Sequence, residues 1–449
     1  MNHGEVHTIY MLGIGGIGMS ALARYYQHKG YTVAGYDRYV SPLTRQLEHE
    51  GMAIHYEDNP NLQPAQIDFV VYSPAVKRQS CPKEYESLDL RNLTIIKRAA
   101  ALGKVTEGHF NIAVAGTHGK TTTTAMVAHI LNQCGKATTA FIGGLAKNFD
   151  DSNLLYNDED ECTMVVEADE FDHSFLQLHP DISIINSIDA DHLDIYGDRQ
   201  HLVASFNDFA RLTEHEVIVK EGLAIDVDNK ISFGFGADCD YTIKDLESSH
   251  GTSVFSITYD GQETVIKLPM AGTHNMLNAT AAFIAALKAG VPAERIAEAL
   301  TSFKGVKRRF DIKVNNEKHC YIDDYAHHPE EIRSCLTAVK SAFPEKRITL
   351  VFQPHLFSRT RDFMDEFASI LSLADELILL DIYPAREKPI EGITSQALLD
   401  KVPMKAKRLC PKAGLLDLVS EERPELLITM GAGDIDRFVE PLEKMIKTW

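Results

Sequence analysis

Apolar runs of a few residues recur along the chain, each ending abruptly in glycine, serine, histidine or acidic residues. Residues 6–12, 31–36, 69–73, 94–96, 112–115, 163–166, 182–188, 348–352, 376–380 and 426–430 take this form. Runs so short, bounded by turn residues, predict strands buried on both faces. Helical spacing separates them: Met19, Leu22, Ala23 and Tyr26 after the first, then Met126, Val127, Ile130 and Leu131 after the fifth. A long apolar helix is expected from Gly272 onward, and Pro329 fits the first turn of another. Residues 97–108 predict a polar helix bridging two domains, and residues 215–270 predict short strands with Gly and Asp turns. Strands alternating with helices imply an α/β protein with parallel, doubly wound sheets, whose ligands sit at the strand C-termini.

Length turns this pattern into domains. At 449 residues the chain exceeds one core, and ~150 residues per domain predicts three. The polar stretch before residue 107 and the basic turn Gly305-Val-Lys-Arg308-Arg309-Phe310 set the expected boundaries, giving 1–106, 107–306 and 307–449. A net charge of −19 argues against coating nucleic acid or a membrane surface, so neither is an expected partner. Anionic ligands must then be met by local cations. Seven cysteines without a Cys-x-x-Cys pair predict reduced thiols, and no apolar run reaches the ~18 residues of a membrane span. A cytoplasmic protein is expected.

The chemistry gathers where the runs end. Residues 112–115 lead into Gly116-Thr117-His118-Gly119-Lys120-Thr121-Thr122 and then a helix. A glycine turn opening a helix aims unpaired N–H groups and the helix dipole at one point, which suits a polyphosphate. Lys120 can reach its outer phosphates and Thr121 can ligate Mg²⁺, so ATP is the expected ligand. Glu167, Asp169, Glu170 and Asp172 crowd the end of the next strand, and Glu167 is the first candidate for Mg²⁺ because hard cations take oxygen ligands. Asp191-His192-Leu-Asp194 ends the strand after that, with His192 a candidate for metal or phosphate contact. Near the N-terminus, Gly13-Ile-Gly15-Gly16-Ile17-Gly18 and Asp37 form the fingerprint of a bound pyrophosphate with a ribose on a carboxylate. A nicotinamide dinucleotide and a nucleotide-sugar diphosphate both satisfy it.

These motifs, together with His274-Asn-Met-Leu-Asn278, Arg308-Arg309-Phe310, Asp323-Asp324-Tyr-Ala-His327-His328-Pro329, Gln353-Pro-His355 and Met430-Gly-Ala-Gly-Asp434, occur in one order over nearly the whole chain. That ordered set resembles the Mur ligases of bacterial cell-wall synthesis. The resemblance implies a Rossmann-like UDP-binding domain, a central P-loop ATPase domain and a C-terminal Rossmann-like domain for an amino acid. It also implies UDP-N-acetylmuramate and L-alanine as substrates, with a ligase that adds a ready-made tripeptide to the same sugar as the nearest alternative. Gly15, Gly16, Ile17, Gly18, Asp37 and Ser73 would serve the UDP-sugar. Gly116 to Thr122, Asn278 and Asp324 would serve ATP, and Thr121, Glu167 and His192 would hold Mg²⁺. Arg309 and His327 would line the reacting centre, with His355 and Arg359 for the alanine. Lys120, Arg309, His327 and His355 are the expected catalytic groups, and either histidine could be the base. A monomer and a homodimer both fit. Sister ligases carry a carbamylated lysine about fifteen residues past the Asp-His pair; here that position falls near Phe206, and some alanine ligases have arginine where this chain has Leu356.

Overall fold

The computed structural model describes residues 7–189, 196–249, 251–385 and 387–449. Asp191, His192 and Asp194 lie outside them. Three sheets organise these residues. The first is parallel, in spatial order Ala53–His55, Thr32–Tyr36, Thr8–Leu12, Phe69–Tyr72 and Thr94–Lys97. The strand order reverses between the third and fourth of these, so the loops after Leu12 and Tyr72 open a crevice at one sheet edge.

The second sheet has ten strands. From one edge they run Ser152–Leu155, Thr138–Ala146, Thr163–Glu167, Asn111–Ala115, Ile182–Ile185, Glu216–Lys220 and Lys230–Gly234, followed by the Tyr241–Ser249, Thr252–Tyr259 and Gln262–Leu268 strands. Asn111–Ala115 is buried along its whole length, as its unbroken apolar run requires. It pairs in parallel with Thr163–Glu167 on one side and Ile182–Ile185 on the other, which brings the ends of all three to one place. In the third sheet an antiparallel edge, Asp311–Asn315, precedes parallel strands in the order Cys320–Asp324, Leu426–Met430, Ile348–Phe352, Glu376–Leu379 and Lys407–Leu409.

The described chain forms two compact units. One comprises residues up to 243 with 257–264 and 277–300; the other comprises 244–256, 265–276 and 301–449. In the first, the helix Ile17–His28 is locked to the hairpin around Asn153, whose amide donates to Ile17 O at 2.6 Å and to Ser20 Oγ at 2.9 Å. Arg24, also buried, holds Asn153 and the Glu50 carboxylate.

Two expectations need correction. The helix Arg98–Thr106 is not a polar bridge, because Ala99, Ala101, Leu102, Gly103 and Val105 are buried. Only Lys104 is exposed in it, and small alanines obscure the spacing of its apolar residues. The expected strand over 182–188 stops at Ile185, where Asn186 and Ser187 leave the ladder to bind the glycine loop. No helix among the described residues is long and apolar enough to cross a membrane.

Gly103 shows why the helix packs so closely. A Cβ there would lie 2.4 Å from the Gln177 carbonyl oxygen. Gly103→Ala is therefore expected to destabilise the protein by about 1–3 kcal/mol through overpacking, although alanine in an exposed helix would gain ~1 kcal/mol. Chemical unfolding of the two proteins side by side measures the sign.

Candidate active site

In the first unit the glycine loop after Asn111–Ala115 is built to present amides. Gly119 is the N-cap of the helix Lys120–Gln133 at φ +83°, with no side chain capping it. A Cβ on Gly119 would stand 2.5 Å from Asn278 Oδ1, so glycine is needed for both backbone and space. Neighbouring strand ends hold the loop in shape. Thr117 N donates to Ser187 O at 3.1 Å, His118 N to Ser187 Oγ at 2.7 Å, and Asn186 Nδ2 to Thr123 Oγ1 at 2.9 Å. The His118 ring lies 3.6 Å from Asp189. Thr121 and Thr122 are buried in the first helical turn.

Lys120 extends from that turn to the Gly116 carbonyl at 2.6 Å and to Glu170 Oε2 at 2.7 Å. Burial alone would depress its ammonium, but Glu170, Asp169 and Glu167 outweigh burial and raise its pKa. Burial likewise raises Glu170 against the pull of Lys120. The four carboxylates thus divide their work. Asp169 pairs with Arg98 at 3.2 Å, Asp172 pairs with Lys97, and Glu167 accepts the Gly143 amide at 2.9 Å. Their mutual repulsion is eased by Lys97, Arg98 and Lys120. Glu167 remains beside a hydroxyl-bearing phosphate loop, and oxygen donors of this kind suit Mg²⁺.

The other glycine loop forms a second part of the same unit. Gly15 N donates to Asp37 Oδ2 at 2.8 Å, and a Cβ at Gly15 would strike both Asp37 and Thr44. Asp37 therefore shapes the loop directly. Gly16 caps the helix Ile17–His28 without a side-chain bond, leaving its first amides facing outward. A cavity of about 280 Å³ lies here, lined by Gly16, Ile17, Gly18, Ser73, Arg98 and Glu167 among others. Among the described residues, Arg98 is the only lysine or arginine in its lining.

In the second unit, strand ends of the third sheet gather Asp323, Asp324, His327, Gln353 and His355. Arg308, at φ +62°, is occupied structurally: Nε reaches Asp323 at 3.3 Å and Nη2 donates to Gly431 O at 2.5 Å. Phe310, at φ +47°, donates its amide to Asp324 Oδ2 at 2.7 Å. Arg309 lies between these two strained residues, over the Tyr325 ring at 5.0 Å and 3.9 Å from Glu331. Asp324 also accepts the Ala326 amide at 2.7 Å, so both its oxygens receive backbone N–H groups. His327 and His355 lie ring to ring, 5.8 Å between centroids, and His355 stacks on Tyr383 at 5.7 Å. Burial, with the nearby His327 and Arg359, pushes His355 down to about 4. Leu356 follows at φ +71°, a value branched residues avoid, and starts the short helix Phe357–Asp362 that carries half-buried Arg359. Gln353 and Asp434 are tied to each other at 2.8 Å, with Lys412 on Asp434.

Comparison with known proteins decides the family. Three family models match along the chain: the Mur ligase family catalytic domain over residues 8–110, the Mur ligase middle domain over 114–286, and the Mur ligase glutamate ligase domain over 308–432. The UDP-N-acetylmuramate–L-alanine ligase of Cytophaga hutchinsonii is 45% identical, covering 99% of this chain and 97% of that protein. The chain belongs to the Mur ligase family. The crystal structure of the UDP-N-acetylmuramate-alanine ligase of Thermotoga maritima superposes with a TM-score of 0.83 at 29% identity, covering 97% and 99% of the two chains. A murein peptide ligase from Psychrobacter arcticus shares the fold, with a TM-score of 0.71 at 23% identity over 99% of each chain.

Within this Mur ligase, the residues that sequence reasoning passed over are those bound through the third dimension. Arg98, Asn186, Ser187 and Glu331 carry no local motif, and Glu170 was not separated from its acidic neighbours. Phe206, near which the resemblance led a lysine to be expected, is fully buried against Phe175, with ring centroids 5.2 Å apart.

Asp323 gives this Mur ligase a measurable pH dependence. Burial raises its pKa to about 6, against the lowering effect of Arg308 and Thr429. A folded pKa above the unfolded value contributes stability at low pH that is lost as pH rises through the folded pKa. Relative to Asp323→Asn, the wild type should therefore lose about 2 kcal/mol of unfolding free energy between pH 4 and pH 6, a few tenths more by about pH 7, and stay level above. Denaturant titrations of both proteins across that range test it.

Proposed function

We propose that this Mur ligase joins L-alanine to UDP-N-acetylmuramate at the expense of ATP, through an acyl phosphate, in the cytoplasmic synthesis of peptidoglycan precursors. The observation that carries this reading is the glycine loop with Lys120 buried at its end, in a chain 45% identical over its whole length to a ligase of that name. The tripeptide-adding alternative is the weaker match, since the ligases that represent it share 23–27% identity with this chain against 45% for the alanine ligase. We read residues 1–106, 107–306 and 307–449 as three functional parts, since each stretch holds one of the three sheets.

A carboxylate does not condense with an amine at neutral pH because hydroxide is a poor leaving group. Transfer of the γ-phosphoryl group onto the lactyl carboxylate gives an acyl phosphate, from which phosphate departs when the amine attacks. Phosphoryl transfer is catalysed mainly by positioning and charge neutralisation. The amides of Gly119 and Lys120 and the Lys120 ammonium meet the phosphates, so Lys120 must exchange Glu170 for them. Mg²⁺, held by Thr121 and Glu167 with His192 a further candidate, would offset charge on the transferring group. Gly15, Gly16, Ile17, Gly18, Asp37 and Ser73 would serve the nucleotide sugar; of these Gly16, Ile17, Gly18 and Ser73 line one cavity with Arg98, which would exchange Asp169 for the diphosphate. Asn278, which lies against Gly119, would serve ATP, and Asp324 would serve its ribose. Arg309 faces the acyl centre, where a tetrahedral oxyanion develops, with His355 and Arg359 on the alanine side. The protein acts as a monomer or homodimer.

Phosphate release measured with MgATP and UDP-N-acetylmuramate, with L-alanine, tripeptide or no amine in parallel, separates the readings. Release and amide product with L-alanine are expected; release only with the tripeptide, or with no amine at all, contradicts the proposal. Lys120→Met should lower kcat by about 10³-fold or more. Arg98→Ala should raise KM for the nucleotide sugar by about tenfold while KM for ATP stays near the wild-type value.

A further inference from the structure

Glu331 is the third residue of the helix Pro329–Ala342 and the one side chain that joins the strand-end loop to it by several bonds. Its Oε2 accepts the amides of His327 at 3.0 Å and His328 at 3.2 Å, which completes a capping box at the helix N-terminus. A cap needs no more than this. The same carboxylate, however, lies 3.4 Å from His327 Nδ1, and its other oxygen lies 3.9 Å from Arg309 Nη1. It is half-buried, and the charged and titratable groups around it and the two histidines include Tyr325, Arg309, Asp324, Cys335, His355, Arg359 and Glu387.

The partners of His327 fix which nitrogen carries its proton. Nδ1 lies 3.0 Å from the Tyr325 carbonyl oxygen as well as 3.4 Å from the carboxylate. Both neighbours only accept hydrogen bonds, so neutral His327 holds its proton on Nδ1 and its lone pair on Nε2. His355, 5.8 Å away and held neutral by burial, places no positive charge against the ring.

We propose that Glu331 is a positioning residue that orients His327, through Nδ1, as the general base for the incoming amine and holds Arg309 beside it. This rests on the ligase reading above. As the ammonium of the amino acid loses one proton to Nε2, the nitrogen lone pair attacks the acyl phosphate carbon; the carbon–oxygen bond to phosphate then breaks, and the second proton shed by nitrogen leaves on the departing phosphate. His327 leaves the step as imidazolium, whose charge Glu331 offsets across Nδ1–H.

The test uses full-length protein with Glu331→Gln, whose amide oxygen can still accept the two capping N–H groups. We expect kcat to fall about tenfold or more, with KM for ATP and the melting temperature close to wild type. Without the carboxylate the imidazolium loses its counter-charge, so the acidic limb of the kcat profile should move to lower pH by about one unit. Glu331→Asp should recover part of the rate. Unchanged kcat and pH limb, or a loss that tracks melting temperature alone, overturns the proposal. A second measurement uses the wild type only: ¹⁵N shifts of the neutral His327 ring should report the Nδ1–H tautomer, and the Nε2–H tautomer overturns the proposal even where the glutamine variant does not fold. Wild-type protein that releases no phosphate with L-alanine overturns the ligase reading itself, a result distinct from either of these.

Discussion

A lysine ammonium buried at the end of a strand must have an anion, and the packing around Lys120 follows from that need. Glu170 Oε2 and the Gly116 carbonyl hold the ammonium in a chain whose overall charge is −19. Removing one partner of a buried pair strands the other at a cost of several kcal/mol. The strand order of the central sheet is what makes the pairing available, because Thr163–Glu167 runs parallel beside Asn111–Ala115 and delivers its acids to the same edge. The neighbouring strand on the other side contributes Asn186 and Ser187, which clamp the loop that carries the lysine.

The second unit solves a different problem. Its reactive candidates are long or planar side chains that must be aimed accurately, and the backbone does the aiming. Arg309 stands between Arg308 and Phe310, both at positive φ, and His355 precedes Leu356, again at positive φ. Each such residue costs about 1–3 kcal/mol and is sustained by fixed bonds around it: Arg308 by Asp323 and Gly431, Phe310 by Asp324, Leu356 by the Tyr383 carbonyl at 2.9 Å. The buried aspartates that the sequence reading placed near a ribose therefore also fix the local chain.

The architecture was largely legible because doubly wound sheets announce themselves. Short apolar runs such as 348–352 and 426–430 coincide with strands Ile348–Phe352 and Leu426–Met430. The phosphate loop was equally plain, since glycine, lysine and threonine in that order follow from the geometry of a strand feeding a helix. Partnerships across the fold were not legible. Nothing within ten residues of Arg98 reveals Asp169, and four acids in six positions do not say which one meets Lys120. The last two strands at one side of the central sheet, Thr138–Ala146 and Ser152–Leu155, escaped notice because two glycines and a polar loop blur their alternation. Alanine-rich helices conceal their buried face for the same reason, as Arg98–Thr106 shows.

The central claim is that the buried lysine and its strand-end neighbours transfer a phosphoryl group onto a carboxylate before the amide forms. Synthesis of UDP-N-acetylmuramate with ¹⁸O in both lactyl carboxylate oxygens, followed by turnover with MgATP and L-alanine, tests this directly by mass analysis of the released phosphate. One ¹⁸O atom per phosphate is the predicted result, since the oxygen that bonded phosphorus leaves with it. Phosphate free of label, with amide formed, would contradict the account.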